Sequence, residues 1–129
     1  MIVDDSVMVR EMLAVSLVKA GYRIEQARDG LEAWEKLRDR LACDLILGDI
    51  EMLRLNGLEL LSRLQEDEQL QGIPVAMITS RGARKMQHLA AAKGAKGYFV
   101  KAYIEDVLLS AAQRLIAGEV LIQKESPAD

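Results

Sequence analysis

Chemically capable residues stand where apolar runs of this chain end: Asp4-Asp5 after Ile2-Val3, Asp49 after "DLILG" (44 to 48), Thr79-Ser80 at the end of "VAMIT" (75 to 79) and Lys101 after "YFV" (98 to 100). Each has an ordinary role when taken alone. Asp4-Asp5-Ser6 suits the first turn of a helix, where negative groups are favoured, and a strand-end threonine or lysine is commonly a surface residue. Brought to one point, three carboxylates repel one another unless a cation lies between them. A hard divalent ion answers that need. Magnesium, or manganese in its place, takes oxygen ligands and is commonly held by one or two carboxylates together with a phosphate oxygen. The single histidine, His88, and the single cysteine, Cys43, offer no zinc-type cluster. With the metal on Asp5 and Asp49, an Asp49 oxygen is placed to attack a bound phosphoryl donor and form an acyl phosphate. The metal and Lys101 would offset charge on the equatorial oxygens, and the Thr79 hydroxyl would donate to one of them.

The elements that must bring these residues together can be read from the punctuation. Gly21, Gly30, Gly57, Gly72 with Pro74, Gly82, Gly94 and Gly97 separate short β-like runs from stretches with apolar residues at helical spacing, such as Leu108, Ala112, Leu115 and Ile116. The β-like runs are Ile2-Val3, "YRIEQA" (22 to 27), 44 to 48, 75 to 79 and 98 to 100, and Ser6 and Asn56 are placed as helix N-caps. Five strands alternating with helices predict an α/β fold: an open, doubly wound, five-stranded parallel sheet covered on both faces. The first, third and fourth runs are almost wholly apolar, whereas "YRIEQA" alternates with Arg23 and Glu25, which marks the second run as an edge. The order 2-1-3-4-5 satisfies this, and its ligand site lies beyond the carboxyl ends of the strands, at the switch between strands 1 and 3. The second strand exits into Ala27-Arg28-Asp29 and offers the site no evident partner.

Composition bounds the remaining possibilities. The 129 residues suit one domain, expected over residues 1–120, with residues 121–129 as a frayed tail too short for a DNA-binding domain. Half the residues are hydrophobic, 29% are charged and the net charge is −3, which argues against nucleic acid or an anionic membrane surface as partner. No segment approaches the length of a membrane span, and a reducing cytoplasm is the expected location. The very short first strand reads as clipped, as in a segment of a longer chain. Cys43 reads as a small buried residue, Trp34 as a packing or interface anchor, and Met8, Met12, Met77 and Met86 as core filler, with Met52 exposed beside the site.

Taken together, "IVDDS", "DLILGDIEM", "AMITS" and "GAKGYFVK" resemble the receiver domain of two-component response regulators over nearly all of residues 1 to 120. The resemblance implies the flavodoxin-like receiver fold. It makes Asp49 the phosphoacceptor, Asp5 a direct metal ligand, Asp4 its acidic companion acting through water, and the carbonyl of Glu51 a further ligand. Thr79 would be the switch hydroxyl, Tyr98 the switch aromatic and Lys101 the phosphate-binding cation. Phosphorylation would draw Thr79 toward the phosphoryl group and let Tyr98 rotate, changing the preference for an output protein of the face built from the fourth helix, fifth strand and fifth helix. Arg84, Lys85, Lys93 and Lys96 would lie on that face. The domain would catalyse its own aspartyl phosphorylation and dephosphorylation rather than turn over a separate substrate.

Three positions depart from the family pattern. Met52-Leu53 stands for the usual Met-Pro, Asn56-Gly57 for Asp-Gly, and Lys101-Ala102 for Lys-Pro. Asn-Gly keeps the turn and cap chemistry. A cis peptide commonly precedes the proline after the lysine in this family; before alanine a cis bond costs roughly 2.5–4 kcal/mol, so either a trans bond with a displaced Lys101 or a strained cis bond is expected. The lost prolines leave open a second reading, a pseudo-receiver that binds partners without phosphorylation. "DIEM", "MITSR" and "KAGYRIEQARDG" are similar to the carboxyl-terminal receiver of hybrid chemotaxis-type histidine kinases. The donor is then a phosphohistidine on a histidine kinase or histidine phosphotransfer domain, with a stand-alone chemotaxis-like regulator as the competing assignment. A haloacid-dehalogenase-like phosphatase also uses an aspartyl phosphate, but its Asp-x-Asp motif after the first strand is absent here.

Overall fold

Alternating apolar runs and helical spacings fold as their periods require. A computed structural model describes residues 1–39 and 41–122. Along the chain lie β1 (Ile2–Val3), α1 (Val7–Lys19), β2 (Gln26–Ala27), α2 (Gly30–Arg38), β3 (Ile46–Asp49), α3 (Gly57–Gln65), β4 (Val75–Thr79), α4 (Arg84–Ala92), β5 (Gly97–Val100) and α5 (Ile104–Ile116). The strands form one parallel sheet in the order β2-β1-β3-β4-β5, the expected order with the expected edge. The second strand is shorter than "YRIEQA": only Gln26 and Ala27 pair, opposite Ile2 and Val3. β1 itself has two residues, so Tyr22 to Ile24 have no strand alongside to pair with.

Successive strand residues point to opposite faces, and each face is closed by its own helices. Val3, Ile46, Val75 and Met77 pack with Ala33 and Leu37 of α2, Leu60, Leu61 and Leu64 of α3, and Ala90 and Ala91 of α4. Ile2, Leu47, Ala76 and Ile78 pack with Leu13 and Leu17 of α1 and with Ile104, Leu108, Ala112 and Leu115 of α5. Ile116, at the helical spacing of this stripe, is exposed instead. Two methionines also differ from expectation. Met8 is exposed on α1, and Met52 is buried under the β3–α3 loop. Met12, Met77 and Met86 do pack in the two cores, and Cys43 is half-buried.

Helix starts obey their caps. Ser6 Oγ accepts from the Val9 amide, and Asn56 forms a reciprocal capping box with Glu59. Beyond α5 the chain reverses at Gly118, whose φ of 96° suits a residue without Cβ. The Leu121 amide then donates to the Lys96 carbonyl at 2.7 Å, and Ile122 is buried against the α4 side of the sheet. Leu121 and Ile122 are thus seated on the domain, while residues 123–129 of the expected tail lie outside the described residues. Among the described residues no helix is long and apolar enough to cross a membrane.

Candidate functional site

Parallel strands deliver their carboxyl ends to one edge of the sheet, and the neighbouring pairs β1–β3 and β3–β4 set three of those ends side by side. Asp49 is the last residue of β3, opposite Ile78, and Asp4 follows the last residue of β1. Carboxylate oxygens of Asp4, Asp5 and Asp49 lie within 4.8 Å of one another. Asp4 and Asp49 are buried and Asp5 is exposed, so the cluster has a buried floor and an open side.

Lys101 reaches this floor from the far strand. Its Nζ lies 2.9 Å from Asp4 Oδ2 and 3.2 Å from Asp49 Oδ2, bridging two carboxylates. The backbone aims it: the Lys101 amide donates to the Thr79 carbonyl at 2.7 Å, and the Tyr103 amide closes a turn onto Val100. No peptide bond among the described residues is cis, so the Lys101–Ala102 bond is trans, and the ammonium is nonetheless seated on both acids.

Burial dominates the electrostatics of the floor. It pushes the Asp49 carboxyl up to about 6, helped by the neighbouring charge of Asp4; the Glu51 amide, which donates to Asp49 Oδ1 at 3.1 Å, and Lys101 only partly oppose this. Burial acts to lower Lys101, but its contacts with Asp4 and Asp49 prevail and hold it above the usual lysine value. Asp4 Oδ1 accepts from the Ser6 amide at 2.8 Å. Asp4 Oδ2 is fully buried and receives no well-directed hydrogen bond. Its nearest compensation is the charge of Lys101, and a buried acceptor in that condition fits a site completed by a cation.

Thr79, the last residue of β4, is buried, and its hydroxyl bonds to Arg81 rather than to Asp49. It donates to the Arg81 carbonyl at 3.0 Å and accepts from the Arg81 amide at 3.2 Å. The Tyr98 hydroxyl donates to the same Arg81 carbonyl at 3.4 Å, from a half-buried ring on the α4 side of β5. The basic residues Arg84, Lys85, Lys93 and Lys96 are all exposed, and Lys93 Nζ lies 3.4 Å from Ser62 Oγ. Trp34 is half-buried, with the guanidinium groups of Arg38 and Arg63 over its ring, 5.9 and 5.7 Å from the ring centre.

The β3–α3 loop, which carries Glu51, is shaped by close approaches. A Cβ on Gly57 would run into the Asp49 carbonyl oxygen, and one on Gly30 would run into that of Leu55. Leu55 adopts φ 54°, unusual for a residue with a side chain. Asp29, read from the sequence as offering the site no evident partner, has two partners in the structure. Its Oδ1 caps α2 by accepting from the Glu32 amide at 2.8 Å, while Oδ2 lies 2.9 Å from Arg54 Nε and 2.8 Å from Arg54 Nη2. Burial acts to raise this carboxyl, but the Glu32 amide and Arg54 outweigh it and hold it below the usual aspartate value. The cap was readable from "DG" before an apolar-periodic stretch; the ion pair joins residues 25 apart and had no local signal.

A family model described as the response regulator receiver domain matches residues 1–113. The chain is 33% identical over 109 residues to the chemotaxis protein CheY1 of Helicobacter pylori, covering 84% of this chain and 88% of that protein. It superposes on the chemotaxis protein CheY4 of Vibrio cholerae with a TM-score of 0.82 and 32% identity, covering 88% of this chain and 94% of that one. It is also similar to the signal receiver domain of a signal transduction histidine kinase from Syntrophus aciditrophicus, with a TM-score of 0.82, 30% identity and coverage of 99% and 96%.

Proposed function

Because the chain belongs to the response regulator receiver domain family, we propose that it serves two-component signalling as a phosphoacceptor, taking a phosphoryl group from a phosphohistidine onto Asp49. The observation that carries this reading is the convergence of Asp4, Asp5 and Asp49 around a lysine bridging two of them. A histidine kinase or a histidine phosphotransfer domain would be the donor. Asp5, Asp49 and the Glu51 carbonyl would hold magnesium or manganese, with Asp4 acting through water. The ion would supply Lewis-acid stabilisation of the negative phosphoryl oxygens.

In the transfer, a carboxylate oxygen of Asp49 forms a bond to phosphorus as the N–P bond of the donor breaks, and that bond's electron pair returns to the imidazole. Lys101 contributes a fixed positive charge that need not be recruited from solvent, because Asp4 and Asp49 already hold it at the cluster. Asp4, buried beneath the cluster, orients this cation. For the Thr79 hydroxyl to reach a phosphoryl oxygen it must leave the Arg81 carbonyl, the atom on which Tyr98 also bonds. The chemical event at Asp49 is thereby linked to the exposed face of α4, β5 and α5.

The test is incubation with magnesium and acetyl phosphate, followed by intact-mass measurement beside Asp49→Asn. The native chain is expected to gain one acid-stable, base-labile phosphoryl group and the variant none. A folded native chain that gains nothing would overturn the phosphoacceptor reading and leave binding without phosphorylation as the function.

A further inference from the structure

The β3–α3 loop runs from Asp49 to Asn56 and carries the Glu51 carbonyl; Met52 is buried and Leu55 packs against the same core, but the stretch between them bulges outward. Leu53 is 98% exposed, and Leu55 is held in a left-handed conformation that its side chain disfavours. The strained backbone at Leu55 needs contacts beyond this packing to hold it.

Those contacts come from the β2–α2 turn. Arg54 directs two guanidinium nitrogens at Asp29 Oδ2, at 2.9 and 2.8 Å. The Arg54 carbonyl accepts from the Gly30 amide at 3.2 Å, and the absence of a Cβ on Gly30 is what lets the Leu55 carbonyl close on it. Asp29 itself is buried and fixed by capping α2 through its other oxygen. The anchor is therefore tied to α2 by a contact separate from Arg54.

We propose that the Asp29–Arg54 ion pair is the positioning device of the metal-binding loop, clamping it to the β2–α2 turn so that the Glu51 carbonyl and Asp49 are presented together. Arg54 and Asp29 are positioning residues; neither touches the reacting atoms. The inference rests on the metal-binding reading for its purpose, although the clamp itself can be examined without metal.

Arg54→Ala separates positioning from simple charge. Deleting a cation near an acidic cluster would, by Coulomb's law alone, tighten binding of a divalent ion. Loss of a positioning contact predicts the opposite, a Mg2+ dissociation constant about 10-fold weaker by calorimetry, at the low end of the range for outer contacts of metal sites. Asp29→Asn keeps a capping oxygen for α2 and removes the charge pair; adding it to Arg54→Ala is expected to weaken binding no further. Amide hydrogen exchange of metal-free protein gives the second readout. In Arg54→Ala the Glu51 and Gly57 amides, which bond to Asp49 Oδ1 and to the Ile50 carbonyl, are expected to exchange about 10-fold faster, while β4 amides keep their native rates. Unchanged exchange at Glu51 and Gly57 would overturn the clamp. Faster exchange with unchanged or tighter Mg2+ binding would overturn its role at the metal. Native protein that binds no Mg2+ would instead sink the metal-binding reading, with exchange still deciding whether the clamp exists.

Discussion

Thr79 and Tyr98 donate to one acceptor, the Arg81 carbonyl oxygen, at 3.0 and 3.4 Å. A buried hydroxyl at the end of β4 and an aromatic ring on β5 are therefore joined through a single backbone atom. If phosphorylation of Asp49 withdraws the Thr79 hydroxyl, the Arg81 carbonyl loses one donor and the 81–83 segment before α4 is released toward new contacts. In native protein, acetyl phosphate with magnesium should shift the Arg81 amide and the Tyr98 ring signals together in NMR spectra. In Thr79→Ala the Tyr98 response should disappear while Asp49 still accepts phosphate. A full Tyr98 response in that variant would show that Thr79 does not connect them.

Metal-free protein should be limited at neutral pH by Asp49. A carboxyl raised from 3.8 to about 6 contributes stability that is fully present below about 3.8 and is lost as pH rises through about 6. Asp49→Asn removes the buried charge and keeps the shape. In EDTA at pH 7.5 the variant is expected to be more stable by on the order of 1–3 kcal/mol, with the gap closing toward pH 4. Urea unfolding across this range checks it, and a gap that widens on acidification would refute it.

Lys101 carries the same sign of dependence at the other end of the scale. Its raised value means that its contribution is fully present below 10.5 and is lost only as pH rises through the still higher folded value. Lys101→Met leaves Asp4 and Asp49 facing each other without the cation, at a cost of roughly 3–5 kcal/mol at pH 8 without metal and less at pH 5, where protonation of Asp49 removes the repulsion. The same change should tighten Mg2+ binding at least about threefold while slowing phosphorylation, two effects that calorimetry and intact-mass kinetics read separately.

Gly57→Ala tests how closely α3 must approach the end of β3. The new Cβ would meet the Asp49 carbonyl oxygen, backbone that cannot rotate aside. Destabilisation of about 1–3 kcal/mol is expected from overpacking, whereas Gly72→Ala, where nothing lies near the built Cβ, should change stability by less than about 0.5 kcal/mol. Thermal unfolding of the two variants makes the comparison.

Much of the fold was legible because it depends on local signals. Alternation placed the strands, glycine spacing separated the elements, and Arg23 and Glu25 showed which strand could tolerate an edge. Ser6 and Asn56 were readable as caps because a cap acts within three residues. The length of β2 was not readable, since pairing depends on how far β1 extends beside it. Met8 and Met52 exchanged their expected environments for the same kind of reason: helical phase and loop path, not residue type, decide which methionine is covered.

By itself the sequence determined that Asp4, Asp5, Asp49, Thr79 and Lys101 would share one end of a parallel sheet, because strand order and strand polarity follow from residue pattern and both are insensitive to side-chain detail. Only the tertiary structure decided how they are disposed. Lys101 bridges Asp4 as well as Asp49, Thr79 faces Arg81, and Asp29 on the edge strand's exit grips Arg54. These choices turn on distances of a few ångströms between residues far apart in the chain, where burial makes each charge seek the partner that packing brings within reach.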